Sequence, residues 1–361
     1  MSPQESPLAA QHLALGAKFA EFGGWKMPLE YVGVLTEHRA VREAVGVFDV
    51  SHLGTVIIEG TGAAQWLNTR LSNDLDRIGT GQGQYTLLLN DEGGVIDDMI
   101  AYQRDPDWVM VMPNAANTAT VINRLRRDQS AAGLRFTLAE TAIIAVQGPA
   151  SATVLDRLDL PTDIDYMSFR FAEYAGVGEV MVCRSGYTGE LGYELILNGR
   201  MASTIWAALM VSGESEGIQP CGLGARDTLR TEMGYPLHGQ DLSETISALE
   251  ARLSWAVGWK KDRFDGAEAL RAQRASGVVR TLLGLRALGR AIPRPGMKVL
   301  DNTGNEIGEV TSGTFSPTLR QGIGLALLAT GIGPGETVQV DLRGRMEAFE
   351  VTKPPFYTPR V

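Results

Sequence analysis

The chain has 361 residues, 44% of them hydrophobic and 21% charged, which is material for two or three packed domains. Its formal net charge is −9 and it contains no long basic run, which argues against a nucleic-acid partner, because phosphate binding needs clustered Lys and Arg. Two cysteines far apart in sequence, Cys183 and Cys221, and four scattered histidines supply neither a disulfide framework nor a close metal-ligand spacing, so no metal is expected.

In chain order, Pro7 to Ala20 reads as a helix, and Glu37 to Ala44 as a second one ended near Gly46. The first ten residues carry Glu5 and no Arg, and they lack the apolar core of a signal peptide. No run of about 18 apolar residues is present to cross a membrane. A reducing cytoplasm fits these features. Gly54 to Glu59 is expected as a strand and Ala63 to Leu71 as a helix. Tyr85 to Leu89 and Val95 to Gln103 should form a hairpin around Asn90-Asp91-Glu92-Gly93-Gly94. Trp108 to Met112 adds a strand and Asn117 to Asp128 a helix, giving an α+β portion with an antiparallel sheet. Strands follow at Thr141 to Val146, Glu179 to Cys183 and Tyr193 to Leu197, with helices at Met201 to Val211 and Leu223 to Met233. After Arg274 come short strands between Gly, Pro and Asn, such as Thr281 to Leu285, Lys298 to Leu300, Glu309 to Thr311 and Val338 to Asp341. This tail reads as an all-β barrel or sandwich.

Two common chemical motifs are missing: there is no GxGxxG after a strand and no GxxxxGK[ST]. What remains is polar residues in apolar or glycine-rich settings. On the strand from Val95 to Tyr102, Asp98 shares a face with Ile96, Ile100 and Tyr102, and Asp97 with Val95, Met99 and Ala101. Both faces are mainly apolar, so at least one carboxylate enters a poorly solvated place, where it needs partners. A carboxylate bonded to backbone N–H groups at the nearby turn would satisfy the same pattern. In Arg184-Ser185-Gly186-Tyr187-Thr188-Gly189-Glu190-Leu191-Gly192-Tyr193-Glu194-Leu195, three glycines permit close ligand approach. Glu194 lies on the strand face opposite Tyr193 and Leu195 and could take two N–H donors side by side, such as a guanidine-like or pterin edge offers. A tight turn with a solvated Glu is the alternative. In Gly222-Leu223-Gly224-Ala225-Arg226-Asp227-Thr228-Leu229-Arg230, Arg226 and Arg230 share a helix face, suited to holding a carboxylate or polar ring, or to a surface ion pair with Asp227 or Glu232.

Singly these signals are weak, but the wording of eight blocks in order is distinctive. They are Gly23-Gly24-Trp25-Lys26-Met27-Pro28-Leu29, Val41-Arg42-Glu43-Ala44-Val45-Gly46-Val47-Phe48-Asp49-Val50-Ser51-His52, and Gly93-Gly94-Val95-Ile96-Asp97-Asp98. Asn114-Ala115-Ala116-Asn117, Val146-Gln147-Gly148-Pro149, Ser185-Gly186-Tyr187-Thr188-Gly189-Glu190, Gly222-Leu223-Gly224-Ala225-Arg226-Asp227 and Thr311-Ser312-Gly313-Thr314-Phe315-Ser316-Pro317-Thr318 complete the set. From end to end the chain resembles the glycine cleavage T-protein (aminomethyltransferase) family. One departure is Leu53, where the family often has Met, a nearly volume-conserving change.

The resemblance implies three domains in a ring with folate in the central passage. A discontinuous α+β domain would comprise residues 1–50 and 141–245. A ferredoxin-like α+β domain would comprise 51–140 with 246–275, and a C-terminal β-barrel or jelly-roll-like domain 276–361. It implies transfer of an aminomethyl carbon from the dihydrolipoyl arm of H-protein to tetrahydrofolate, with release of ammonia and 5,10-methylenetetrahydrofolate, and needs no metal or nucleotide. Asp98 matches the family's catalytic aspartate and Glu194 its pterin-binding glutamate. Tyr187 and Arg226 match other folate-site residues, and Tyr85, Tyr102 and Asn114 likewise match neighbours of the site. Basic residues such as Lys260, Lys261 and Arg263 could meet an acidic carrier. A folate-dependent demethylase of the same fold is the alternative enzyme, although the chain has no room or motif for the flavin domain most such relatives carry. A non-catalytic folate-binding accessory protein of iron–sulfur assembly is the alternative outside catalysis, although the Cys of that group's Lys-Gly-Cys-Tyr-x-Gly-Gln-Glu motif is missing from the 184–190 block.

Overall fold

The computed structural model describes residues 2–127, 133–174 and 176–359. Two compact units divide the chain: residues 1–86, 98–226 and 359–361 form the first, and residues 87–97 and 227–358 the second. The architecture is α+β, with mixed sheets and a closed six-stranded barrel.

The N-terminus departs from expectation. The first helix covers only Ala9–Ala14, and Gly16, at φ 72°, turns the chain out of it. The strand Lys18–Phe22 follows where helix was expected. It folds back through Gly23 and Gly24, at φ 57° and 83°, onto Trp25–Glu30. The helix is nonetheless fixed, because His12 is fully buried, with Nε2 2.8 Å from Asp49 Oδ2 and Nδ1 2.9 Å from the Tyr31 hydroxyl.

The second helix, Val34–Glu43, starts a turn earlier than expected. Its N-terminus is organised by Glu37, whose Oε1 accepts from the backbone N–H groups of Tyr31, Val32 and Gly33, while Oε2 accepts from Gly222 N–H. This carboxylate ties down the segment leading into the helix and accepts the N-cap N–H of Gly33.

The main sheet of the first unit has six strands in the order Phe169–Tyr174, Gly178–Cys183, Gly192–Asn198, Thr141–Gln147, Gly46–Asp49 and Gln219–Cys221. All neighbouring pairs are antiparallel except the last. Thr141–Gln147 is a near-continuous apolar run because it sits inside this sheet. One face packs Ile144 and Val146 into a core with Leu195, Leu197, Ile205 and Trp206. Burying each such side chain contributes about 1.5–3 kcal/mol.

A five-stranded sheet takes the order Gln82–Leu89, Val95–Asp105, Trp108–Met112, Val56–Glu59 and Arg135–Leu138. The helix expected at Asn117 to Asp128 is seen as Thr118–Arg126, and Asp128 lies outside the described residues. Residues 87–97, the tip of the expected hairpin, belong to the second unit. There Asn90 organises the turn: its Oδ1 accepts from Gly94 N–H and its Nδ2 donates to Glu244 O. A Cβ on Gly94 would lie 1.9 Å from Glu244 O, so only glycine fits.

The rest of the second unit closes the β tail into a barrel of Arg280–Ala287, Gln321–Ala329, Glu306–Ser316, Lys298–Leu300, Thr337–Leu342 and Arg345–Thr352. Leu283, Leu285, Val310, Leu328, Phe349 and Val351 fill it. Leu223–Met233 forms at its expected bounds. Arg230 on this helix is 2% exposed and ion-paired to Asp227 at 2.7 Å and Asp241 at 2.9 Å. Glu232, fully buried, accepts from Ser316 and from the N–H and hydroxyl of Thr318. Among the described residues no helix is long and apolar enough to cross a membrane.

Candidate active site

The strand Val95–Asp105 separates its two neighbouring carboxylates as alternation requires. Asp97 is fully buried, whereas Asp98 is only partly covered. Tyr85, on the strand Gln82–Leu89, donates its hydroxyl to Asp98 Oδ2 at 3.0 Å. Asn114, just beyond the strand Trp108–Met112, donates its amide to Asp98 Oδ1 and to Asp98 O, both at 3.1 Å. Three of the expected residues therefore converge, and the carboxylate is oriented by a phenol and an amide supplied by flanking strands.

Glu194 sits mid-strand in Gly192–Asn198 and is 5% exposed. Its Oε2 accepts from Ser185 Oγ, whose oxygen is 3.1 Å from the Tyr102 hydroxyl. Because Ser185 spends its proton on the carboxylate, Tyr102 must donate to Ser185, which gives a relay from Tyr102 through Ser185 to Glu194. Tyr102 is fully buried, and burial pushes its phenol well above the ordinary value, so it keeps its proton. Asp98 and Tyr102 share a strand face roughly 13 Å apart at the usual rise per residue.

The Arg226 guanidinium lies over the Tyr187 ring, 4.5 Å from its centroid. Together they form a flat, cationic and aromatic surface. Arg226 also acts on His52. Burial first, and the Arg226 charge second, push that imidazole down to about 4, so it is neutral near pH 7. His52 is 3% exposed, stands edge-on to Phe22 at 5.3 Å between centroids, and has no partner at Nδ1. Arg230, which shares the sequence block with Arg226, serves instead as the buried pin described above.

A cavity of the first unit, ≈ 1030 Å³, is lined by residues including Trp25, His52, Leu53, Ala115, Glu140 and Arg200, and by none of the seven predicted site residues. Sequence reasoning assigned no role to Ser185 or His52, although both lie inside distinctive blocks. The signal was their presence there, and their partners become apparent only in three dimensions. Among the described residues no cluster of His, Cys, Asp and Glu could hold a metal ion.

The model of the GCVT N-terminal domain matches residues 8–261, and that of the glycine cleavage T-protein C-terminal barrel domain matches residues 280–358. The chain is 58% identical to an aminomethyltransferase of Frankia alni, with 99% of each chain covered. It is 54% identical to an aminomethyltransferase of Mycobacterium tuberculosis, covering 97% of this chain and 96% of that one. Its fold superposes on the crystal structure of glycine cleavage system aminomethyltransferase T from Bartonella henselae with a TM-score of 0.94 at 34% identity, covering 99% of both. A full-length match in sequence and fold, carried by both domain models, places the chain in the glycine cleavage T-protein family of aminomethyltransferases.

Proposed function

We propose that this protein moves the aminomethyl carbon from the dihydrolipoyl arm of H-protein to tetrahydrofolate, releasing ammonia and 5,10-methylenetetrahydrofolate. The observation that carries the reading is the Asp98 carboxylate, partly exposed and held at both oxygens by Tyr85 and Asn114. Expelling ammonia leaves a carbon with cationic character. A carboxylate already oriented by fixed dipoles stabilises that charge without reorganising. The same group can orient the attacking folate nitrogen, and holding both reactants in place contributes through proximity.

Glu194 takes the pterin edge in this reading, accepting two N–H donors. Tyr102 acts through Ser185, which fixes the rotamer of Glu194. Tyr187 and Arg226 supply a face on which a conjugated ring stacks. Neither a metal nor a nucleotide is required by this chemistry, and the reaction takes place in the cytoplasm. For a discontinuous first domain, 1–50 with 141–245, the six-stranded sheet gives support as far as residue 221, drawing strands from residues 46–49, 141–198 and 219–221, while residues 227–245 fall in the second compact unit.

The test combines the protein with tetrahydrofolate and aminomethyl-loaded H-protein and follows both products. Methylenetetrahydrofolate and ammonia should form together and only with H-protein. Folate binding with neither product would show that the donor is wrong.

A further inference from the structure

Gln147 ends the strand Thr141–Gln147 and is 1% exposed. Nothing in the chemistry above uses it. Its Nε2 donates to Ser185 O at 3.1 Å and to Tyr193 O at 3.3 Å, and its Oε1 accepts from Thr188 Oγ1 at 2.8 Å. These partners bracket the two ligand-facing side chains: Ser185 and Thr188 flank Tyr187, and Tyr193 precedes Glu194.

The glycines of this block complete the arrangement. A Cβ on Gly186 would lie 2.1 Å from Gln147 Oε1, and one on Gly192 would lie 2.3 Å from its Nε2. Neither glycine has positive φ, so the backbone itself tolerates a side chain there, and it is the Gln147 amide that excludes one. The amide thus occupies a slot between two glycines and ties the loop to the strand that follows it. Arg42, nearly buried, adds a second tie, donating to Thr188 O at 2.7 Å and to Glu190 Oε1 at 2.9 Å.

We propose that Gln147 is a positioning residue for the acceptor site. Its amide sets the path of residues 185–193, so that Tyr187 and Glu194 are presented to one ligand, and so that Ser185 stands where it can orient Glu194. A polar group that only satisfied its own burial would not need partners on both sides of the binding residues. The inference rests on the reading of Glu194 and Tyr187 as folate contacts.

Tetrahydrofolate affinity by equilibrium titration, steady-state kinetics and thermal melting are measured for wild type, Gln147→Ala, Gly186→Ala and the double variant. Gln147→Ala should raise the Kd and KM for tetrahydrofolate roughly tenfold, with kcat near wild type. Gly186→Ala should displace the amide from the opposite side and reproduce that rise, and the double variant should be no worse than either single. Should the alanine variant not fold, Gln147→Glu keeps the volume and the acceptor for Thr188 but removes both donors, and it should show the same rise. Folded single variants with wild-type affinity, or effects that add in the double variant, overturn the proposal. Glu194→Gln in the same titration separates the two claims. If it binds tetrahydrofolate like wild type, the folate reading falls. If it loses affinity while Gln147→Ala does not, only the role of Gln147 falls.

Discussion

Asp98 in the first unit and Asp241 in the second are both carboxylates held by hydrogen bonds, yet they are built for opposite ends. Asp241 is fully buried. Its Oδ2 accepts from Arg230, Ser312 and Leu237 N–H, and its Oδ1 accepts from Thr311. Such a group is saturated by the protein and charge-paired, and its work is to tie the Leu223–Met233 helix to the barrel strand Glu306–Ser316. Asp98 is oriented by a phenol and an amide and keeps part of its surface open. The difference teaches that burial and hydrogen bonding alone do not mark a functional carboxylate. In the proposed reading, what suits Asp98 to catalysis is orientation combined with access.

The largest effect on the structural side is expected from Arg230→Met. It leaves Asp241 buried without its cation, which should cost about 3–5 kcal/mol of stability, seen as a lower melting temperature. An unchanged melt would mean that this cluster does not hold the barrel. On the functional side, Glu194→Gln should weaken tetrahydrofolate binding by about 1.5–3 kcal/mol, the range for a hydrogen bond to a charged group, while leaving the melt nearly unchanged. Tyr85→Phe removes a donor that orients Asp98. It should lower kcat by about 1 kcal/mol of transition-state stabilisation with little change in KM. A change in KM alone would place Tyr85 in binding instead.

A separate effect is on pH dependence. His52 has a folded value near 4 against an ordinary 6.5, so the unfolded chain binds more protons between those limits. Its contribution to stability is therefore complete above pH 6.5 and is lost as pH falls toward 4, with a slope of up to about 1 kcal/mol per pH unit. Urea unfolding across that range, compared with His52→Gln, checks it: the slope should shrink in the variant.

Much of this was legible in the sequence. The strand Trp108–Met112 and the helix Leu223–Met233 form at their expected bounds, because their apolar spacing is strong and their ends are marked. Alternation along Val95–Asp105 correctly put Asp97 and Asp98 on opposite faces. The N-terminus failed because Leu8, His12, Leu15 and Phe19 carry a helical spacing past Gly16, where the backbone turns left-handed. The early start of the helix Val34–Glu43 was hidden for a related reason: the cap is Glu37, reaching back from inside the helix and across to Gly222. Asp98, Tyr85 and Asn114 were named together only through the resemblance, since their convergence is tertiary. Ser185 and Gln147 were invisible as functional groups because their meaning lies in partners up to 83 and 46 residues away.

The most direct test of the central claim is the turnover of Asp98→Asn, measured with loaded H-protein and saturating tetrahydrofolate alongside a thermal melt. If an oriented negative charge is the catalytic element, kcat should fall by about 10²–10³-fold, as for loss of one preorganised electrostatic group, with an unchanged melting temperature. Wild-type turnover in the folded variant would contradict the account, because the amide keeps the shape of Asp98 while removing its charge and replacing one of its two acceptor oxygens with a donor.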